Sequence, residues 1–169
     1  MKKLILLVVV LTIFSCSKEQ EKLEIFSEEA FAFYLEESWE LNASARIKGF
    51  TQQESEEYLP KTGRKIQETD DGSIILDDKV ETKVLMDIFT AKLSYSINII
   101  TPASDTLTNI DYGLIDELSE EEMVDLVLET QIEIDSAFAV GKYKLVFIVD
   151  DNLSQRTVSS EKEFELTKE

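Results

Sequence analysis

Histidine is absent from the 169-residue chain, cysteine occurs once, at position 16, and tryptophan once, at position 39. Without imidazole there is no His-based catalytic triad, no histidine metal ligand and no histidine to hold a haem. A single thiol has no partner within the chain, so no internal disulfide staples the fold. Two prolines and five glycines exclude collagenous and low-complexity architectures. Positive charge is scarce too: 17 Lys and Arg stand against 35 Asp and Glu, a formal charge of −18. Such a surface repels phosphate backbones and anionic headgroups, which excludes nucleic acid as a partner. The plain use of that charge is solubility. An enzyme on this chain would have to work with Asp, Glu, Lys, Tyr or Ser.

The N-terminus consists of Met1-Lys2-Lys3, an apolar run from Leu4 to Phe14 broken only by Thr12, and the small residues Ser15-Cys16-Ser17. Basic, apolar and small segments in that order read as a secretory signal peptide. The apolar run is shorter than the roughly 20 residues a bilayer-spanning helix needs. Ile13-Phe14-Ser15-Cys16 resembles the lipobox of bacterial lipoproteins. The resemblance implies cleavage before Cys16, a diacylglyceryl thioether on its sulfur, and acylation of its new amino group. At about 0.8 kcal/mol per buried methylene, several acyl chains hold a protein on a membrane lastingly. On that reading the thiol is spent on lipid, which also removes Cys nucleophiles and Cys zinc sites.

Ser17, in place of Asp, implies by the same resemblance that the inner-membrane retention signal is missing. Ser17-Lys18-Glu19-Gln20-Glu21 is similar to the acid-rich tether of surface-exported lipoproteins of the Bacteroidota. The expected location is the outer membrane, by a lipid anchor, on either face. The expected organisation is a signal peptide over 1–15, a lipidated cysteine and tether over 16–23, and one domain over 24–169. Loss of Lys2 and Lys3 with the leader takes the charge from −18 to −20.

Period-two alternation dominates the rest. Trp39, Leu41, Ala43, Ala45 and Ile47 alternate with Glu40, Asn42, Ser44, Arg46 and Lys48. Half-buried antiparallel strands need this pattern, because successive side chains point to opposite faces. Phe89 to Ile99, Leu128 to Ile134, Tyr143 to Val149 and Val158 to Leu166 repeat it. In the Tyr143 run, Val146 and Ile148 make the second face apolar as well, which suits a central strand. Glu24 to Glu37 reads two ways: Phe31, Phe33 and Leu35 alternate as a strand, while Phe26, Ala30 and Tyr34 also fit helical spacing, and the strand is favoured. Asp150-Asp151-Asn152 and Asp70-Asp71-Gly72 carry hairpin turn chemistry, the latter between Lys65–Glu68 and Ser73–Leu76. Ser119-Glu120-Glu121-Glu122 reads as a capping box and predicts a short helical turn from Ser119 to about Leu126. About seven strands without a βαβ rhythm predict an all-β antiparallel β-sandwich.

Val140-Gly141-Lys142-Tyr143-Lys144-Leu145, after the Gln131–Asp135 strand, resembles the E–F corner of immunoglobulin-like domains. The resemblance implies that Tyr143 hydrogen-bonds back to the preceding loop and that Leu145 stands where antibody domains carry a cysteine. It also implies an F–G hairpin made of Phe147–Asp150 and Arg156–Leu166. It covers mainly residues 127–169, the cysteine pair is missing, and Trp39 lies too early to be the family's strand-C tryptophan. Such a domain needs about 100 residues. The excess falls between Thr51 and Asp87, a charged, weakly patterned insertion of the kind that carries function or decorates a scaffold.

Three acidic pairs, Asp70/Asp71, Asp77/Asp78 and Asp150/Asp151, raise the question of calcium. They lack EF-hand spacing, and aspartates are common in turns, so no metal and no cofactor is expected. A glycosidase needs two carboxylates roughly 5–10 Å apart across a cleft, and nothing singles out a pair. Glycan recognition needs exposed aromatic platforms, for which Tyr34, Trp39, Tyr58 and Tyr112 are the candidates. Trp39 shares a face with Leu41 and Ile47, so a core tryptophan is its commoner fate. Tyr58, in the insertion, is the better platform. The composite expectation is a non-catalytic, lipid-anchored envelope protein that serves as an interaction or accessory module. A membrane reached through the lipid on Cys16 and a protein partner are its expected contacts. The alternative is a surface glycan-binding lipoprotein.

Overall fold

The computed structural model describes residues 21–68 and 74–168, and side chains are described outside Tyr58 and residues 60–83. Cys16 and the Asp70-Asp71-Gly72 turn lie outside the described residues. Eight strands follow in order: β1 (Glu24–Leu35), β2 (Ser38–Lys48), β3 (Gln52–Glu68), β4 (Ile74–Ile100), β5 (Thr106–Ser119), β6 (Asp125–Asp135), β7 (Gly141–Asp151) and β8 (Arg156–Leu166). The fold is all-β, with no helix among the described residues. One sheet has the order β1-β2-β6; the other runs β3-β4-β7-β8, with β5 on the far side of β4. Every strand pair is antiparallel.

Alternation dictates the core. Trp39, Leu41, Ala43, Ala45 and Ile47 of β2, with Leu128, Ile132 and Ile134 of β6, are buried against the other sheet. That sheet contributes Ala91, Leu93, Ile97 and Ile99 of β4, Tyr143, Leu145, Phe147 and Val149 of β7, and Phe164 and Leu166 of β8. β7 is central, between β4 and β8, which explains its two apolar faces. β1 lies beside β8, where Ser160 Oγ donates to a Glu28 carboxylate oxygen.

Two expectations are corrected. The stretch after Ser119 is a bend leading straight into β6, with no helical turn. Ser119 Oγ does accept the Glu121 N–H at 3.1 Å. However, the Gln52 side chain takes both backbone groups of Met123, donating to its carbonyl and accepting from its N–H, each at 2.8 Å. A residue whose N–H and C=O are both taken by a side chain in this way is kept out of helical pairing. The second correction concerns strand number: β5 is a strand that the alternation did not single out, and the insertion supplies β3 and the lengthening of β4.

That insertion forms a β-ribbon. β3 pairs with β4 from Gln52↔Ala91 to Glu68↔Ile74, a register that contains the expected small hairpin around residues 65–76. β5 and β7 join β4 only from Phe89 and Leu93 onward. Residues Ile74–Ile88 therefore pair with β3 alone. At about 3.3 Å per residue this arm has a contour length of roughly 50 Å.

Candidate functional site

The arm leaves the body at a cluster built around Asp151. In β7 this residue continues the inward series Tyr143, Leu145, Phe147, Val149, and it is the one fully buried charged side chain among the described residues. A carboxylate in that position must be paired and hydrogen-bonded. One oxygen accepts from Thr51 N at 2.8 Å, Ser154 Oγ at 2.7 Å and Arg156 Nη2 at 3.0 Å. The other accepts from Leu153 N at 3.1 Å and Ser154 N at 3.2 Å. Burial by itself raises the Asp151 pKa, but the bonds from Ser154, Thr51 and Arg156 outweigh it and lower it to about 2. Fully ionised and enclosed by donors, Asp151 serves as an anchor, with no proton to give at neutral pH.

Arg156 extends the cluster. Its Nη2 also donates to Gly49 O at 2.7 Å, its Nη1 to Glu21 O at 2.9 Å, and its Nε to Ser154 Oγ at 2.8 Å. Gly49 has a φ of +68°, and a Cβ there would stand 2.2 Å from the Lys22 carbonyl oxygen, so glycine is required for this approach. One aspartate and one arginine thus bind together the β7–β8 loop, the root of the arm at Gly49–Thr51, and the segment where the chain enters the domain at Glu21. The arm and the segment that enters the domain at Glu21 start from the same end of the sandwich.

The expected platform residues are dispersed. Trp39 is fully buried, with its indole N–H donated to Thr167 O at 3.1 Å and the Tyr34 ring edge-on at 5.1 Å. A ring in that position offers no face to a ligand, which removes it from the binding candidates. Tyr58 pairs with Leu85 in the arm ladder, and its side chain is outside those described. Tyr112 is 72 % exposed, on β5 with Leu114 and Leu118. Phe31 and Phe33, which the sequence placed in a strand without assigning a binding role, stand exposed on β1 beside Leu35.

At the opposite end of the sandwich, the Tyr143 hydroxyl donates to Ala139 O at 2.7 Å, the bond that the corner resemblance implied. Burial pushes the Tyr143 phenol pKa up, and the ring stacks on Phe164 with centroids 5.5 Å apart. Tyr143→Phe is expected to lower stability by about 1 kcal/mol through loss of that bond, with binding untouched. An unaltered melting curve would contradict the corner's role.

Among the described residues no group of three or more Asp, Glu, His or Cys could hold a metal ion. The site's chemistry is that of a mechanical joint. No family model matches the chain, and no curated protein or solved structure does either.

Proposed function

We propose that this chain is a non-catalytic, lipid-anchored accessory protein of the outer membrane, and that it presents the β3–β4 arm to an integral membrane protein. The carrying observation is the shared root: Arg156 holds both Glu21 and Gly49, so the tether and the arm leave from one end. From Cys16 to Lys22 the tether reaches at most roughly 25 Å, about half the length of the arm. With the lipid in the bilayer, an arm that starts at the membrane-facing end has no room to stand clear. It lies along the membrane surface or against a protein embedded there. A two-stranded ribbon alone is marginal in water, which makes a partner that covers it the economical solution.

An immunoglobulin-like body fits this role as a rigid mount. With β3 set aside, the sheets read β1-β2-β6 and β5-β4-β7-β8. This corresponds to strands A-B-E and C′-C-F-G of that fold, with Tyr143 at the E–F corner and buried Leu145 in the cysteine's place. A second reading, a glycan-binding lipoprotein, draws support from the exposed Phe31–Phe33 row and loses it from the burial of Trp39.

Affinity capture from native membranes tests the proposal with three forms of the full chain: intact, Cys16→Ala, and one in which an Asn-Gly turn joins Glu57 to Met86, which are register partners. The intact form should retain an integral membrane protein that the shortened form loses. Cys16→Ala should stay out of the detergent phase and capture less. Equal capture by the shortened form would overturn the role of the arm, and unchanged detergent partitioning would overturn the lipid.

A further inference from the structure

The outer face of the β1-β2-β6 sheet is unequal along its length. Near the tether end, Phe26 lies under two cations from the neighbouring strand, Arg46 Cζ 5.8 Å and Lys48 Nζ 5.2 Å from the ring centroid. The same cations neutralise carboxylates, Arg46 with Asp125 at 2.8 Å and Lys48 with Glu24 at 3.4 Å. Aromatic ring, cation and carboxylate are all satisfied within the sheet.

Further up the strand the rings and carboxylates recur without the cations. Phe31, Phe33 and Leu35 form an outward row, 56, 55 and 53 % exposed. The register puts Phe33 in line with Glu40 and Glu133, and Leu35 in line with Ser38 and Asp135; Phe31 aligns with Asn42 and Gln131, one step above Glu29 and Glu129. Among the described residues none of these five carboxylates joins an ion pair. The concavities on this part of the face are lined by Phe31, Leu35, Glu40, Glu129 and Glu133. An apolar row of this kind rimmed by charge marks an interaction surface.

We propose that the upper half of this face docks a basic, apolar segment of a partner protein. Its Lys or Arg side chains take the place over Phe31 and Phe33 that Arg46 and Lys48 hold over Phe26. Charge complementarity selects the occupant: a second copy of this chain, or an anionic headgroup, would set negative charge against these carboxylates. The proposal rests on the reading of the chain as an interaction module, but on a different surface from the arm.

The test is fluorescence anisotropy with labelled synthetic peptides and the purified full chain. The probes alternate lysine with isoleucine, lysine with serine, or glutamate with isoleucine. Only the lysine–isoleucine peptide should bind well. Phe31→Ser with Phe33→Ser, or Glu129→Gln with Glu133→Gln, should weaken it roughly tenfold or more. Leu114→Ser, which removes a still more exposed apolar side chain from the other sheet, should change nothing. All substituted positions are exposed, and unchanged melting curves would verify folding. Equal binding of the lysine–serine peptide, or indifference to the Phe31 and Phe33 changes, would overturn the proposal. So would dimerisation abolished by those changes, or neutral dextran bound in the peptide's stead. The arm-shortened form should bind the peptide normally, which separates failure here from failure of the arm's role.

Discussion

Trp39→Ala is expected to lower the free energy of unfolding by about 4 kcal/mol, the range for emptying a large aromatic from a core. The side chain is fully buried on β2, in register with Tyr34 of β1 and Ile134 of β6. Its loss would leave a cavity spanning all three strands of that sheet. It would also free the Thr167 carbonyl, which accepts the indole N–H at 3.1 Å and ties the chain beyond β8 to the opposite sheet. Lys168 Nζ lies 5.3 Å from the Trp39 ring centroid and 5.2 Å from that of Tyr34, a further contact of the same segment. Trp39→Phe retains most of the volume and should cost about half as much. Against a total stability of about 5–15 kcal/mol, the alanine variant should unfold at a much lower urea midpoint. A shift under about 1 kcal/mol would mean that the tryptophan is not where the structure places it.

Asp151→Ala is expected to cost about 3 kcal/mol, because it leaves the Arg156 charge and the Thr51, Leu153 and Ser154 N–H groups without their acceptor. The wild-type carboxyl also makes stability depend on pH. Its folded pKa, lowered to about 2, lies below its ordinary value of 3.8. The contribution is therefore complete above about pH 4 and disappears as pH falls towards 2; it amounts to about 2 kcal/mol. Asp151→Asn should remove this part of the acid sensitivity while roughly preserving shape. Chemical denaturation between pH 2 and 6 would reveal it as a flatter stability profile for the variant. Parallel profiles would show that Asp151 titrates normally and that the joint is looser than the geometry implies.

The body was legible in the sequence because burial on one face of a strand imposes period two, and β2, β6, β7 and the second half of β4 keep that period with few exceptions. The Tyr143 bond was legible through a local motif that needs only neighbouring residues. The arm was legible only at its tip, where turn chemistry marked the hairpin around residues 65–76; its length was not, because Ile74–Ile88 pair with β3 alone and carry no long alternating series. β5 was obscured by Tyr112, Leu114 and Leu118, which are exposed where a half-buried strand is polar. The β1–β2 turn uses Glu36 at a φ of +50°, where asparagine or glycine would have been a clearer signal. Asp151 could have been found: the period of β7 puts it inward after Val149, and a carboxylate there demands a cation. Only the fold brings Arg156, Thr51 and Glu21 together, so the shared root of the arm and the segment entering at Glu21 lay beyond a reading of the sequence.

Amide hydrogen exchange along β3 and β4 of the purified full chain tests most directly whether the arm is an element that a partner must support. Leu59–Glu68 and Ile74–Val84 should exchange orders of magnitude faster than Leu93–Ile99 and Leu145–Val149, since two strands alone open readily while the sandwich opens only with global unfolding. Protection of the arm equal to that of the body, in the absence of any partner, would contradict the account.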